Sequence, residues 1–71
     1  MFLLASSGHD HMVRLWNVLV LKTRVLLEPV TTLQGHTSSI LCLRFDNIGA
    51  NLASGGLDKT IRIWEVSFYN L

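Results

Sequence analysis

The chain carries one fifteen-residue string twice. Leu4-Ala5-Ser6-Ser7-Gly8-His9-Asp10-His11-Met12-Val13-Arg14-Leu15-Trp16-Asn17-Val18 aligns without a gap on Leu52-Ala53-Ser54-Gly55-Gly56-Leu57-Asp58-Lys59-Thr60-Ile61-Arg62-Ile63-Trp64-Glu65-Val66. Leu, Ala, Ser, Gly, Asp, Arg, Trp and Val recur at matching places, and Val13/Ile61 and Leu15/Ile63 are conservative exchanges. The copies lie 48 residues apart, Trp16 against Trp64. A period of this size belongs to chains built by stacking one supersecondary unit on the next, because such a unit cannot bury its apolar face alone.

Each copy reads as two short strands around a tight turn. Leu52-Ala53-Ser54 is an apolar run entering Gly55-Gly56, and Asp58-Lys59 sits at the reversal. There Gly is expected to supply positive φ and Asp to accept local backbone N–H groups. Thr60-Ile61-Arg62-Ile63-Trp64 then alternates polar with β-branched and aromatic residues, the pattern of a half-buried strand. Between the copies, Ser39 to Phe45 predicts a further strand, with Asp46-Asn47-Ile48-Gly49 as its turn, and Thr31-Thr32-Leu33 a short one. Helical periodicity is weak, so the expected class is all-β and antiparallel.

Composition narrows the function. Of 71 residues, 49% are hydrophobic and 15% charged, too apolar for disorder and small enough to need something to pack against. The six basic residues (Arg14, Lys22, Arg24, Arg44, Lys59, Arg62) are scattered and the net charge is +1, so no nucleic-acid footprint is present. Met1 to Ser7 lacks the basic flank and apolar length of a signal peptide. Val18 to Leu27 is interrupted by Lys22 and Arg24, so no membrane partner is expected. Cys42 is the sole cysteine; without a thiol partner it reads as a small buried side chain between Leu41 and Leu43. An intracellular setting, cytoplasmic or nuclear, fits an unpaired thiol.

The second copy and its upstream residues resemble the WD-repeat family. Gly35-His36 matches the family's Gly-His, and Trp64-Glu65 stands where Trp-Asp closes the repeat. Ile40, Leu43 and Phe45 match its first strand, and Asp46-Asn47-Ile48-Gly49 its polar turn. Asn17 and Glu65 depart from the motif's Asp. The resemblance implies a β-propeller, with antiparallel four-stranded blades set radially and the outer strand of one blade drawn from the next sequence repeat. It divides the chain into the latter half of a repeat (1–18), a spacer or outer-strand region (19–30), a complete repeat (31–66) and the start of another strand or a tail (67–71). Met1 to Val18 with Thr31 to Leu33 would then form three strands of one blade, and Ser39 to Val66 three strands of the next. About one and a half repeats cannot close a ring, so the chain reads as a propeller fragment. The long spacer after Trp16-Asn17-Val18 also resembles WD-repeat proteins that carry SAM and U-box modules, although no such module is present.

His36, Ser54 and Asp58 have the residue types of a nucleophilic triad, but the sequence holds no Gly-x-Ser-x-Gly elbow. The resemblance implies another role: with Trp64 they form a structural hydrogen-bond network. The first copy keeps Ser6, Asp10 and Trp16 without the His, so its blade is expected to be the weaker. No catalytic residue is expected. His9 and His11 could share an ion on one strand face, but no third ligand stands near, so neither metal nor cofactor is expected. Arg14 and Arg62 occupy equivalent strand positions and, with Leu57, Lys59, His9 and His11 at the turns, are the candidates for partner contact. The expected function is a scaffold presenting loops and edges to proteins or peptides, with the remaining blades of a parent propeller as neighbours. Two other readings stand beside it: the substrate-recruiting part of a ubiquitin-ligase-type assembly, and a fragment without independent function.

Overall fold

The computed structural model describes residues 2–69. Six strands form two antiparallel three-stranded sheets. β1 (Phe2–Ser7), β2 (Met12–Val20) and β3 (Val25–Gln34) make the N-terminal sheet; β4 (Ile40–Phe45), β5 (Asn51–Gly56) and β6 (Ile61–Glu65) make the C-terminal one. Both repeats give the same hairpin, because β1 pairs β2 with Leu4 opposite Trp16 and β5 pairs β6 with Leu52 opposite Trp64.

The spacer closes a hairpin. β2 runs on to Val20, Leu21 N–H donates to Arg24 C=O at 2.8 Å, and β3 returns along the full length of β2. The predicted short strand at Thr31 to Leu33 is thus the far end of a ten-residue strand. Pro29 has no N–H to give a ladder, and β3 is an edge strand where that costs least. The register slips beside it: Leu15 pairs Thr31 and Trp16 pairs Pro29, leaving Val30 as a bulge residue. A second slip makes Leu41 the extra residue of β4, since Ile40 pairs Gly56 and Cys42 pairs Gly55.

Alternation along the strands gives each sheet two faces. The near face of the N-terminal sheet carries Ala5, Val13, Leu15 and Leu33, and it packs on the far face of the C-terminal sheet, which carries Ile40, Leu43, Phe45, Leu52 and Trp64. Val13, Leu15, Leu52 and Val66 are fully buried there. Each such side chain contributes on the order of 2 kcal/mol, so this seam is what holds the sheets together.

Three expectations from sequence are corrected. Gly55 and Gly56 lie within β5 and not at the turn; positive φ falls on Lys59 (66°) and, in the other copy, on His11 (67°). Gly56 is small for a different reason: an added Cβ would stand 3.0 Å from Ser39 C=O and 3.1 Å from His36 Nδ1. Cys42 is exposed, because the bulge at Leu41 turns it onto the uncovered face opposite Gly55. Finally, of the two readings for residues 67–71, a strand start or a tail, the strand does not begin at Ser67–Tyr69, which form one 3-10 turn. Val66 N–H donates to Ala50 C=O, and Tyr69 packs against the core, so the chain folds back under the sheet. Asn70 and Leu71 lie outside the described residues.

Candidate functional site

At the end of the C-terminal sheet, four side chains from four segments meet. β5 carries Ser54, β6 carries Trp64, the β5–β6 turn carries Asp58, and the segment between β3 and β4 carries His36. Trp64 Nε1–H donates to Ser54 Oγ at 2.8 Å. His36 Nε2 lies 2.6 Å from the same oxygen, and His36 Nδ1 lies 3.0 Å from Asp58 Oδ2. Gly35 sits beneath the Trp64 ring and the Arg62 guanidinium, with an added Cβ 3.0 Å from the indole. Any larger residue there would displace the loop that delivers His36.

Donor counting fixes the protons. Asp58 accepts from Thr60 Oγ1 (2.7 Å), Thr60 N–H (3.1 Å) and Thr37 N–H (3.0 Å). Those bonds, the Thr60 hydroxyl first, hold its carboxyl well below the usual carboxylate range. The carboxylate therefore accepts Nδ1–H from His36. Nε2 is left to accept the Ser54 hydroxyl proton, and the Ser54 oxygen accepts the indole N–H. Every polar atom of the cluster is thereby satisfied. In bond order it matches a Ser-His-Asp relay, but Ser54 is 1% exposed and its oxygen is occupied on the side away from His36. A substrate carbonyl has no approach to it.

The first copy reproduces half of this. Trp16 Nε1–H donates to Ser6 Oγ at 2.8 Å, the same bond at the same length. Asp10, with no imidazole above it, turns outwards to a 2.6 Å ion pair with Arg14 and accepts Met12 N–H at 3.3 Å. These contacts, Arg14 foremost, lower its carboxyl too. Nothing brings Ser6 and Asp10 together.

The candidates for partner contact divide. Leu57, Lys59, His9 and His11 are exposed at the two turns. Arg62 lies against Gly35 with its Nε buried and unpartnered, unlike Arg14, which is paired at the surface. His9 is within 3.3 Å of Ser39 Oγ and joins the two sheets at their ends. Among the described residues no three His, Cys, Asp or Glu side chains gather to hold a metal, and no helix is long and apolar enough to cross a membrane. A feature the sequence reading missed is a half-open cavity of about 180 Å³ beside the β3 bulge, lined by Arg14, Trp16, Pro29 and Thr32 among others. Pro29 inside a strand was the available signal.

Comparison with known proteins matches residues 2–17 and 27–65 to the model of the WD domain, G-beta repeat. Human Coronin-7 is 46% identical over 65 residues, covering 89% of this chain and 7% of that protein. The Polycomb protein esc of Drosophila virilis is 32% identical over 62 residues, covering 87% of this chain and 14% of its own length. The ribosome biogenesis protein YTM1 of Ajellomyces capsulatus is 33% identical over 60 residues, covering 84% and 12%. The chain thus spans about 7% of the length of the coronin relatives it matches. None of the three is named for a SAM or U-box module, and the family model accounts for the chain without that finer resemblance.

Proposed function

The chain belongs to the WD-repeat family, whose domains are generally protein-interaction modules, and from that membership we propose that it is a scaffold binding proteins or peptides at its strand-joining turns. One observation carries the reading. Asp58 is pinned by Thr37, Thr60 and His36, while the residues on either side of it, Leu57 and Lys59, point into solvent. Leu57 N–H donates to Ser39 C=O and Lys59 N–H to Gly56 C=O, so the turn backbone is fixed as well. An apolar and a cationic side chain are displayed together on a rigid hairpin, and little ordering entropy is lost when a partner closes over them. Such a pair suits a peptide with an apolar residue beside a carboxylate.

Burial and saturation of the Ser54–His36–Asp58 cluster favour a structural role and no catalysis. The exposed, unpaired Cys42 suits a reducing cytoplasmic or nuclear setting. Peptides selected from a random library on the immobilised chain test the proposal. They are expected to lose at least about tenfold in affinity to Leu57→Ala/Lys59→Glu. Peptides indifferent to that change, or ester turnover abolished by Ser54→Ala in a chain that still folds, would sink it.

A further inference from the structure

The β2–β3 hairpin turns at the end of the N-terminal sheet opposite the 8–11 turn, and its second strand is open along one edge. β3 closes the sheet order β1-β2-β3, and among the described residues nothing pairs with its far side. The chain enters β3 from β2 and leaves it for β4, so this edge lies in mid-chain. The match to the family model stops at residue 17 and resumes at 27, so most of the hairpin falls outside the family pattern. One bond sets the direction of its backbone groups. Leu21 N–H donates to Arg24 C=O, which makes the next pair, Val20 and Val25, a non-hydrogen-bonded one. Two residues on, Val18 and Leu27 are another. The N–H and C=O of Val25 and Leu27 therefore point away from β2, along the open edge. Arg24 and Glu28 flank them, exposed, and neither meets an opposite charge among the described residues of its own chain.

We propose that two copies of the chain pair through this edge, β3 against β3, antiparallel about a two-fold axis at Leu26. An open strand edge is a template for another strand, and here the residues select both partner and register. Val25 of one copy exchanges N–H and C=O with Leu27 of the other, and Leu27 with Val25, giving four backbone hydrogen bonds. Leu26 then faces its own copy, and Arg24 stands opposite Glu28 on either side of it. Alternation puts these three side chains on one face of the sheet, so the two ion pairs bracket the leucine contact. Centring the axis on Val25 would oppose Leu27 to Thr23, which lies in the turn. Centring it on Leu27 would oppose Val25 to Pro29, which has no N–H to donate. Only the Leu26 register satisfies both backbone and charge. The occupant is a second copy because the edge is complementary to itself: cation, apolar run and anion meet anion, apolar run and cation. Each copy uses the same edge, so the contact is isologous and stops at two. It joins two three-stranded sheets into one and does not involve the turn at Leu57 and Lys59.

Exchanging the charges tests it. Arg24→Glu and, separately, Glu28→Arg set like charges across the axis at exposed positions, and circular dichroism verifies that each variant keeps the fold. In sedimentation equilibrium, the unaltered chain is expected to pass from monomer to dimer as concentration rises. Each single reversal should weaken dimerisation by about tenfold or more. Mixing the two reversals should restore it as a heterodimer, and so should Arg24→Glu/Glu28→Arg in one chain, because both recreate opposed charges at each end of the contact. In the dimer the Val25 and Leu27 amides should exchange hydrogen at least about tenfold more slowly than in monomeric Arg24→Glu. The Leu26 amide, already paired to Leu19, should change less. A monomer at every concentration, association indifferent to the reversals, charge swaps that restore nothing, or Val25 and Leu27 amides that exchange equally fast in both states each overturns the proposal.

Discussion

The two hairpins are near-copies in sequence and in backbone, yet they part company at their polar ends. Both place a Trp indole 2.8 Å from a Ser oxygen and both put a positive-φ residue after an Asp. Only in the C-terminal hairpin does an imidazole stand between the Ser and the Asp. That single insertion turns an exposed Asp paired with Arg14 into a buried one bonded to three residues. Ser, Asp and Trp thus supply the places, and the upstream Gly35-His36 segment supplies the link. Burial is just as dependent on neighbours. Val13 and Leu15 are in a core while Ile61 and Ile63 are in water, although their own strands are alike.

If the C-terminal hairpin is the stronger, paired substitutions should separate the two. The largest gap is expected for the matched leucines. Leu52→Ala, at a fully buried site, should lower the unfolding free energy by about 3 kcal/mol, and Leu4→Ala, 44% exposed, by under about 1 kcal/mol. Chemical denaturation of both variants checks this, and equal losses would remove the distinction.

The serines come next. Ser54→Ala strands His36 Nε2 and the Trp64 indole together and should cost about 2 kcal/mol, whereas Ser6→Ala strands one indole and should cost about 1 kcal/mol.

Acid should then discriminate between the carboxylates. The Asp58 carboxyl is held below its unfolded value by the Thr60 hydroxyl and the Thr37 and Thr60 amides, so it stabilises the fold above about pH 4. That contribution is lost as pH falls through the folded value. Asp58→Asn should flatten the decline in melting temperature below pH 4 more than Asp10→Asn does, because Asp10 is bonded at the surface. A steeper decline in Asp58→Asn would reverse the sign and break the account.

The smallest effect sharpens the likeness instead. Lys59→Gly and His11→Gly should each stabilise by about 0.5 kcal/mol, relief of left-handed strain minus the entropy of glycine. Melting temperatures that move in opposite directions would mean the turns are not equivalent.

Much of this architecture was legible in the residues. Repetition of the Leu-Ala-Ser and Arg-x-Trp strings located both hairpins, and alternation in Thr60 to Trp64 gave β6 its two faces. Gly35-His36 pointed to the segment that completes the polar cluster. What stayed hidden depended on single-residue shifts or on partners. Cys42 looks buried between two leucines until the Leu41 bulge changes its face, because the side-chain period of a strand is two. Gly55-Gly56 reads as a turn by propensity, but the close approach of Ser39 and His36 is what demands a missing Cβ. Tyr69 folds under the sheet through contacts with a core that no local pattern encodes.

β3 completes the N-terminal sheet and then leads directly to Gly35 and His36 of the second repeat. The stretch matched to the family repeat from residue 27 and the sheet that folds are therefore out of step by one strand, like overlapping roof tiles. No cut between repeats separates the sheets cleanly. A nick near Thr31 would divide β3 itself and part Thr32 and Leu33 from the rest of that strand.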